Sequence, residues 1–370
     1  MKKLYTKYVV ALVLVTLSFS IESTAQLNEL PRGSQMAKVF QRIGITDITV
    51  IYSRPSVNDR EIWGKLVPYG MNNLGFGTAK ESPWRAGANE NTIIKFTSDV
   101  KIEGKDLLAG KYGLHMIVNE NNTATIIFSE NNTAWGSYFY EPSEDVLRVD
   151  VSTKEVAHTE QLTFEFNEVS GTSGVVALNW GEKQIPFKVE IDVANIVLLD
   201  IRQKLQASPG FNRQTWEQAA NYSQNNGGDL DEALVWVNNA IGGKFYSQKN
   251  FNNLSIKAQI LTKQGKTTEA STIMDDALDM GTIFQIHGYG RQLIGQGQEE
   301  KALEVFKKNA KINKGAWPVD YGLARGYSAV GNYKAALKHI KIAVKRAPDQ
   351  INKDAIVANI VKLESGTDIN

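Results

Sequence analysis

Gly228-Asp229-Leu230-Asp231-Glu232-Ala233, Gly265-Lys266-Thr267-Thr268-Glu269-Ala270, Gly297-Gln298-Glu299-Glu300-Lys301-Ala302 and Gly331-Asn332-Tyr333-Lys334-Ala335-Ala336 share one register, a glycine followed five residues later by an alanine. Nine residues after each glycine a large apolar side chain returns (Val237, Met274, Phe306, Ile340), and twelve after it stand Ala240, Ala277, Asn309 and Ala343. Successive glycines are 37, 32 and 34 residues apart. A period of this size marks stacked helical hairpins. In such a unit the glycine turns the chain between two helices, and the alanine sits where they approach too closely for a larger side chain. The apolar residue at nine fills the gap to the next unit. Arrays of this kind make binding surfaces and seldom carry catalytic residues, so the register bears on function as well as fold.

The last two units, residues 283–314 and 317–348, resemble tetratricopeptide repeats, with Tyr327, Gly331, Ala336, Ile340, Ala343 and Pro348 at the places that family favours. The first two units match more loosely: Asn221 stands where a small residue is usual, and the 37-residue step needs a longer turn. The resemblance implies that the first helix of each unit lines a concave surface, with its fifth and ninth positions facing the groove. By register these are His287 and Arg291 in one unit, Tyr321 and Arg325 in the next. Two arginines one repeat apart suit an acidic or carboxyl-terminal peptide, because a guanidinium holds a carboxylate in a forked geometry. The plain alternative is two solvated arginines on helix faces. Upstream, residues 194–210 read as a connecting helix and linker closed by Ser208-Pro209-Gly210; downstream, 349–370 read as a capping helix and tail.

Ahead of the array the pattern changes to short alternating runs broken by Gly, Asn and Pro. Ile185, Phe187, Val189 and Ile191 face one way against Lys188 and Glu190, and Ile48, Val50 and Tyr52 behave likewise. Tyr112 to Val118 and Thr123 to Phe128 flank Asn121-Asn122, which reads as a hairpin turn rather than a glycosylation site. About eight such runs with little helix between them favour two packed antiparallel sheets. The expected architecture is α+β and multidomain: an antiparallel β-sandwich or jelly-roll-like domain over 26–193, then an α-helical tetratricopeptide-like repeat array over 211–348.

Residues 54–90 do not alternate, and so long an irregular stretch in a compact domain is often functional. Arg54, Asp59, Arg60, Trp84, Arg85, Asn89 and Glu90 are its site candidates; equally, they suit the pinning of a loop whose backbone lacks strand partners. Trp63, Trp84, Trp135, Tyr69, Tyr138 and Tyr140 suit sugar rings or loop anchoring. Asp59, Glu61 and Glu90 keep carboxylate chemistry on a glycoside open. The runs Pro31-Arg32-Gly33-Ser34-Gln35, Tyr52-Ser53-Arg54-Pro55, Arg60-Glu61-Ile62-Trp63-Gly64, Trp84-Arg85-Ala86-Gly87-Ala88-Asn89-Glu90 and Ala109-Gly110-Lys111-Tyr112-Gly113-Leu114 resemble a family of bacterial exported proteins known as domain of unknown function 2911. The resemblance covers about residues 30 to 193. It implies export and a β domain and carries no activity.

Lys2, Lys3 and Lys7 precede an apolar run from Val9 to Ile21, and Ser23-Thr24-Ala25 supplies small residues for cleavage, so 1–25 reads as a secretory signal and the mature chain as a soluble periplasmic or secreted protein. The run is shorter than the ~20 residues of a membrane-spanning helix. With 41 basic against 40 acidic residues, nothing calls for a nucleic-acid partner. No cysteine is present, which removes disulfide and thiolate chemistry. The four histidines are scattered, without metal-ligand spacing; His115, on the strand face opposite the apolar one, reads as a hydrogen-bonded structural residue, with a general base as the alternative. No phosphate loop, dinucleotide fingerprint or nucleophile elbow is found, so neither a cofactor nor a catalytic residue is implied. The leading expectation is a non-catalytic exported binding or scaffold protein whose repeats dock a protein or peptide. The alternative is an envelope enzyme or carbohydrate binder with its site in the 54–90 loop.

Overall fold

A period-two alternation places Thr46, Ile48, Val50 and Tyr52 of one strand and Ile185, Phe187 and Val189 of another on buried faces, and these faces meet. The computed structural model describes residues 31–370, so the expected signal segment lies outside the described residues. The chain divides after Ile191 into two compact units.

Among the described residues the first unit contains ten strands: β1 (Gln35–Ile43), β2 (Thr46–Arg54), β3 (Thr92–Phe96), β4 (Val100–Ile102), β5 (Lys105–Leu107), β6 (Gly110–Val118), β7 (Thr123–Ser129), β8 (Asp145–Ser152), β9 (Lys154–Asn167) and β10 (Ser173–Glu190). They form a six-stranded sheet in the order β1-β2-β3-β6-β7-β8 and a four-stranded sheet in the order β5-β4-β10-β9. All strand pairs are antiparallel. The sheets are joined by rings: Tyr52 meets Phe164 at 4.8 Å, and Phe128 meets Phe187 at 5.8 Å. The Tyr52 hydroxyl also accepts the Phe164 N–H at 3.1 Å, which satisfies a polar atom inside the sandwich. In β10 the pairing to β9 shifts around Gly181, whose φ of +59° suits the bulge.

The segment between β2 and β3 continues the sheet beyond the end of β3. Trp84 exchanges both backbone hydrogen bonds with Met116 (2.9 and 2.8 Å), and the Gly70 N–H reaches the Val118 carbonyl at 2.9 Å. Its side chains, with those of 131–144, cover the second face of β6. His115 is therefore buried, although it lies opposite Leu114 and Met116.

The second unit contains ten α-helices: α1 (Val193–Leu205), α2 (Arg213–Asn225), α3 (Leu230–Ile241), α4 (Phe251–Lys263), α5 (Thr267–Leu278), α6 (Ile283–Gly295), α7 (Glu299–Ile312), α8 (Trp317–Ala329), α9 (Tyr333–Arg346) and α10 (Gln350–Glu364). Asn250 and Thr282 begin α4 and α6 with reciprocal capping boxes to Asn253 and Gln285. The register alanines Ala233, Ala270, Ala302 and Ala336 and the residues at nine, Val237, Met274, Phe306 and Ile340, are all buried. Asn309, the one polar residue at twelve, is 1% exposed and satisfied: its Nδ2 donates to the Ile283 carbonyl at 3.0 Å, and its Oδ1 accepts from Asn313 at 2.8 Å. Phe306 is accommodated by three helical glycines, since a Cβ at Gly290, Gly322 or Gly326 would come within 2.6, 2.6 or 2.8 Å of its ring.

Two features depart from the sequence reading. The stretch read as a connecting helix is the first helix of the array: Leu198 and Leu205, one heptad apart, are buried with Ala219, Ala220, Trp236 and Val237, and Arg202 forms a forked pair with Glu232 at 2.8 Å. In the first unit the left-handed turn residue is Gly227 (φ +75°) rather than Gly228, which is packed instead, a Cβ there falling 3.1 Å from Ser223 Cβ. Gly265, Gly297 and Gly331 take positive φ as the register requires. Among the described residues no helix is long and apolar enough to cross a membrane.

Candidate functional site

The fifth and ninth positions of the first helix recur along α4, α6 and α8 as Ser255 and Gln259, His287 and Arg291, Tyr321 and Arg325. At the α4 end, Ser255, Gln259, Thr262 and Lys263 line a cavity of about 350 Å³ that also takes in Ala258, Met274, Leu293, Gln292 and Lys301. Its floor is apolar and its lining amides and ammonium groups offer hydrogen bonds, a mixture suited to a polypeptide segment. Gln224 Nε2 donates to Gln259 Oε1 at 3.0 Å, while Gln224 Oε1 is buried without a donor. Lys263 Nζ donates to Asn225 Oδ1 at 3.0 Å and Lys301 Nζ to Ser271 Oγ at 2.8 Å.

Farther along the row, His287 stacks on Tyr321 with ring centres 6.2 Å apart and planes at 20°. His287 Nδ1 lies 3.1 Å from the Pro318 carbonyl, which fixes the N–H on that nitrogen. Burial, and then the charge of Arg325, push the imidazole down to about 4; the carbonyl opposes this and Arg291 adds to it. His287 is therefore neutral at physiological pH. Arg325 lies over the Tyr321 ring at 4.8 Å and donates from Nη2 to its hydroxyl at 3.0 Å. That hydroxyl also accepts Asn359 Nδ2 of α10 at 2.7 Å. Of the four residues expected to share a groove, the structure brings His287, Tyr321 and Arg325 into contact. Arg291 is exposed, and its charge reaches His287.

The β-unit candidates are braced separately. Arg54 ties β2 to β9, donating to the Leu162 carbonyl at 2.9 Å and to Thr163 Oγ1 at 2.7 Å. Arg60 closes its own turn on the Val57 and Ser56 carbonyls (3.0 and 2.5 Å), and Asp59 is exposed in that turn. Trp84 stacks on Trp180 at 5.9 Å, and Trp63 is edge-on to both. Arg85 donates to the Asn89 carbonyl at 2.8 Å and lies over Tyr138 at 5.1 Å; Asn89 donates to the Ser34 carbonyl at 3.0 Å; Glu90 pairs with Arg32. Among the described residues no hydrogen bond or ion pair joins Arg54, Asp59 or Arg60 to Trp84, Arg85, Asn89 or Glu90.

A polar cavity behind this loop escaped the sequence reading. Asn91, His115, Ser129, Asn131, Tyr140 and Glu144 line it, and Asn91 Oδ1 and Glu144 Oε2 are buried without donors. His115 Nδ1 is 2.9 Å from Ser137 Oγ. Burial, aided by the charge of Arg85, lowers this imidazole to about 4. Ser137 is only 1% exposed, so the hydroxyl–imidazole pair is sealed away from a substrate. Burial, then the hydrogen bond to Asp145, raises the Tyr140 phenol. Only the alternation signal bears on this cavity, since it places polar side chains at positions of β6 and β7 that would otherwise face water.

Residues 34–189, most of the β unit, match the family model described as Protein of unknown function (DUF2911). Among solved structures the chain is similar to the C-terminal part of a TPR repeat-containing protein from Cytophaga hutchinsonii (15% identity, 46% of this chain and 70% of that one, TM-score 0.34). It is similar also to YrrB, described as a TPR protein with an unusual peptide-binding site (16%, 45% and 89%, 0.29), and to a tetratricopeptide repeat protein from Parabacteroides merdae (18%, 48% and 74%, 0.31). None of the curated proteins matches the chain. The DUF2911 match over residues 34–189 is followed by a region of ten α-helices.

Proposed function

We propose that this protein is an exported, non-catalytic binding or scaffold protein whose helical repeats dock a protein or peptide along the row from Ser255 and Gln259 to Tyr321 and Arg325. Helical repeats of this kind typically bind proteins or peptides. The observation that carries the reading is that, of the register-equivalent positions on successive first helices, Ser255 and Gln259 line a cavity of about 350 Å³ at one end of the row, while His287, Tyr321 and Arg325 stack together at the other. Arg291 and Arg325 add positive charge, so the fitting partner is an acidic peptide. In the 54–90 loop, by contrast, Arg54, Arg60, Arg85, Asn89 and Glu90 all make hydrogen bonds or ion pairs that brace the β unit, and Asp59 is exposed.

Selection of a random peptide library on the full chain, repeated on the Arg291→Ala/Arg325→Ala variant, tests the reading. Acidic peptides enriched on the parent and lost on the variant support it; identical enrichment on both overturns it. Export rests on the lysine-rich start, the apolar run and Ser23-Thr24-Ala25. Mass spectrometry of the protein from its native cell is expected to find Gln26 as the first residue, and an intact Met1 would contradict export.

A further inference from the structure

The groove around Tyr321 and Arg325 already holds a piece of polypeptide. After α10, Gly366 (φ +73°) reverses the chain, and the Thr367 N–H closes the turn on the Lys362 carbonyl at 2.9 Å. The segment then returns to α8. Ile369, 4% exposed, enters the apolar cluster of Ala324, Ile340 and Leu363, while Asp368 and Asn370 on either side of it are exposed. Asp368 Oδ1 accepts the Ser328 hydroxyl at 2.6 Å, and Asn370 Nδ2 donates to the Arg325 carbonyl at 3.1 Å. Ser328 follows Tyr321 and Arg325 at the twelfth place of the helix, the next position on the same face. The segment therefore sits on the row identified above as the docking surface.

Its hold on the arginine is incomplete. Arg325 Nη1 reaches the Ile369 carbonyl and Asn370 Oδ1 only at 3.3 Å each, and Arg325 Nε is buried with no acceptor. Both acceptors are neutral, whereas a guanidinium is best satisfied by a carboxylate receiving two parallel N–H groups. A buried donor left unpaired favours any ligand that supplies the missing acceptor.

We infer, resting on the docking reading above, that residues 368–370 are an internal ligand of the groove, and that the partner displaces them with a segment carrying an acidic residue, a branched aliphatic anchor and a second acidic residue. The aliphatic side chain takes the place of Ile369, the first carboxylate takes the Ser328 hydroxyl, and the second carboxylate takes Arg325. Because the internal ligand is tethered, it competes at a high effective concentration. The groove is thus closed to weak peptides and open to those that satisfy Arg325 better than Asn370 does.

The test uses the full chain, a variant ending at Thr367, and an Asp368→Ala/Asn370→Ala variant that keeps the Ile369 anchor in case truncation impairs folding. Two fluorescent, carboxyl-amidated hexapeptides are titrated: Ser-Gly-Thr-Asp-Ile-Asn and its counterpart ending Asp-Ile-Asp. Both variants are expected to bind the peptides at least tenfold more tightly than the full chain, and the second peptide more tightly than the first. Arg325→Ala in the truncated chain should erase that preference. Equal affinity for full chain and variants overturns the inference, as does absence of binding to variants that keep the parent circular dichroism. If library-selected acidic peptides still bind the full chain through Arg291 and Arg325 in either case, the docking reading stands while the internal ligand is rejected.

Discussion

Arg325 lies 4.8 Å above the ring of Tyr321 and donates from Nη2 to that tyrosine's hydroxyl at 3.0 Å, so one residue is both platform and acceptor for the other. The same hydroxyl receives Asn359 from α10, which joins the last repeat to the capping helix through a single oxygen. Tyr321→Phe keeps the platform and leaves both donors short of an acceptor. It should cost about 1–3 kcal/mol of array stability in urea unfolding. An unchanged midpoint would mean that water replaces the hydroxyl.

The glycines around Phe306 predict an over-packing effect. Alanine at Gly322 gains about 1 kcal/mol of helix propensity but presses a methyl group against the ring, a strain of about 1–3 kcal/mol. Gly322→Ala should therefore lower the midpoint, and adding Phe306→Leu to it should recover part of the loss. Stabilisation by Gly322→Ala alone would show that the ring has room to move.

His115 sets a pH dependence for the β unit. Its folded pKa, about 4, lies below the ordinary value of 6.5, so the unfolded chain binds the proton first as pH falls. The contribution of the neutral imidazole is complete above pH 6.5 and is lost as pH falls toward 4, roughly 3 kcal/mol in all for a shift of this size. His115→Gln should flatten the stability profile between pH 7 and 5. An equally steep profile in the variant would assign the acid sensitivity to other groups. His287, lowered in the same direction, acts with the same sign in the array.

The position of α1 predicts where the chain can be divided. A fragment of residues 192–370 retains Leu198 and Leu205 against Ala219 and Trp236 and should unfold cooperatively. One of residues 208–370 loses that cover and should be less stable by at least about 2 kcal/mol, since each fully buried leucine contributes about 1.5–3 kcal/mol. Equal stability of the two would return α1 to the role of a connector.

The repeat half was legible because its packing rule is local: a small residue where helices cross and a large one where units meet, which Ala233, Val237, Ala302 and Phe306 obey. Strands such as β2 and β10 were legible for the same reason, one face being wet and the other dry. What the sequence hid depends on contacts between distant segments. His115 follows the alternation of an outward residue, yet the loop before β3 and residues 131–144 close over it, and no periodicity encodes that lid. The seat of Ile369 was equally hidden, since a single apolar residue between Asp368 and Asn370 has no pattern; only the turn at Gly366 brings it back to α8. The register of Gly228 was off by one because two glycines stand together, and only backbone geometry shows which of them takes positive φ.

On the proposed function, the partner docks along the row on α4, α6 and α8. The most direct measurement is photo-crosslinking of a library-selected acidic peptide to the full chain, with the attachment sites located by mass spectrometry. Attachment is expected within 255–263, 287–295 and 321–328; attachment confined to residues 54–90 would rule out this row and move the working site to the β unit.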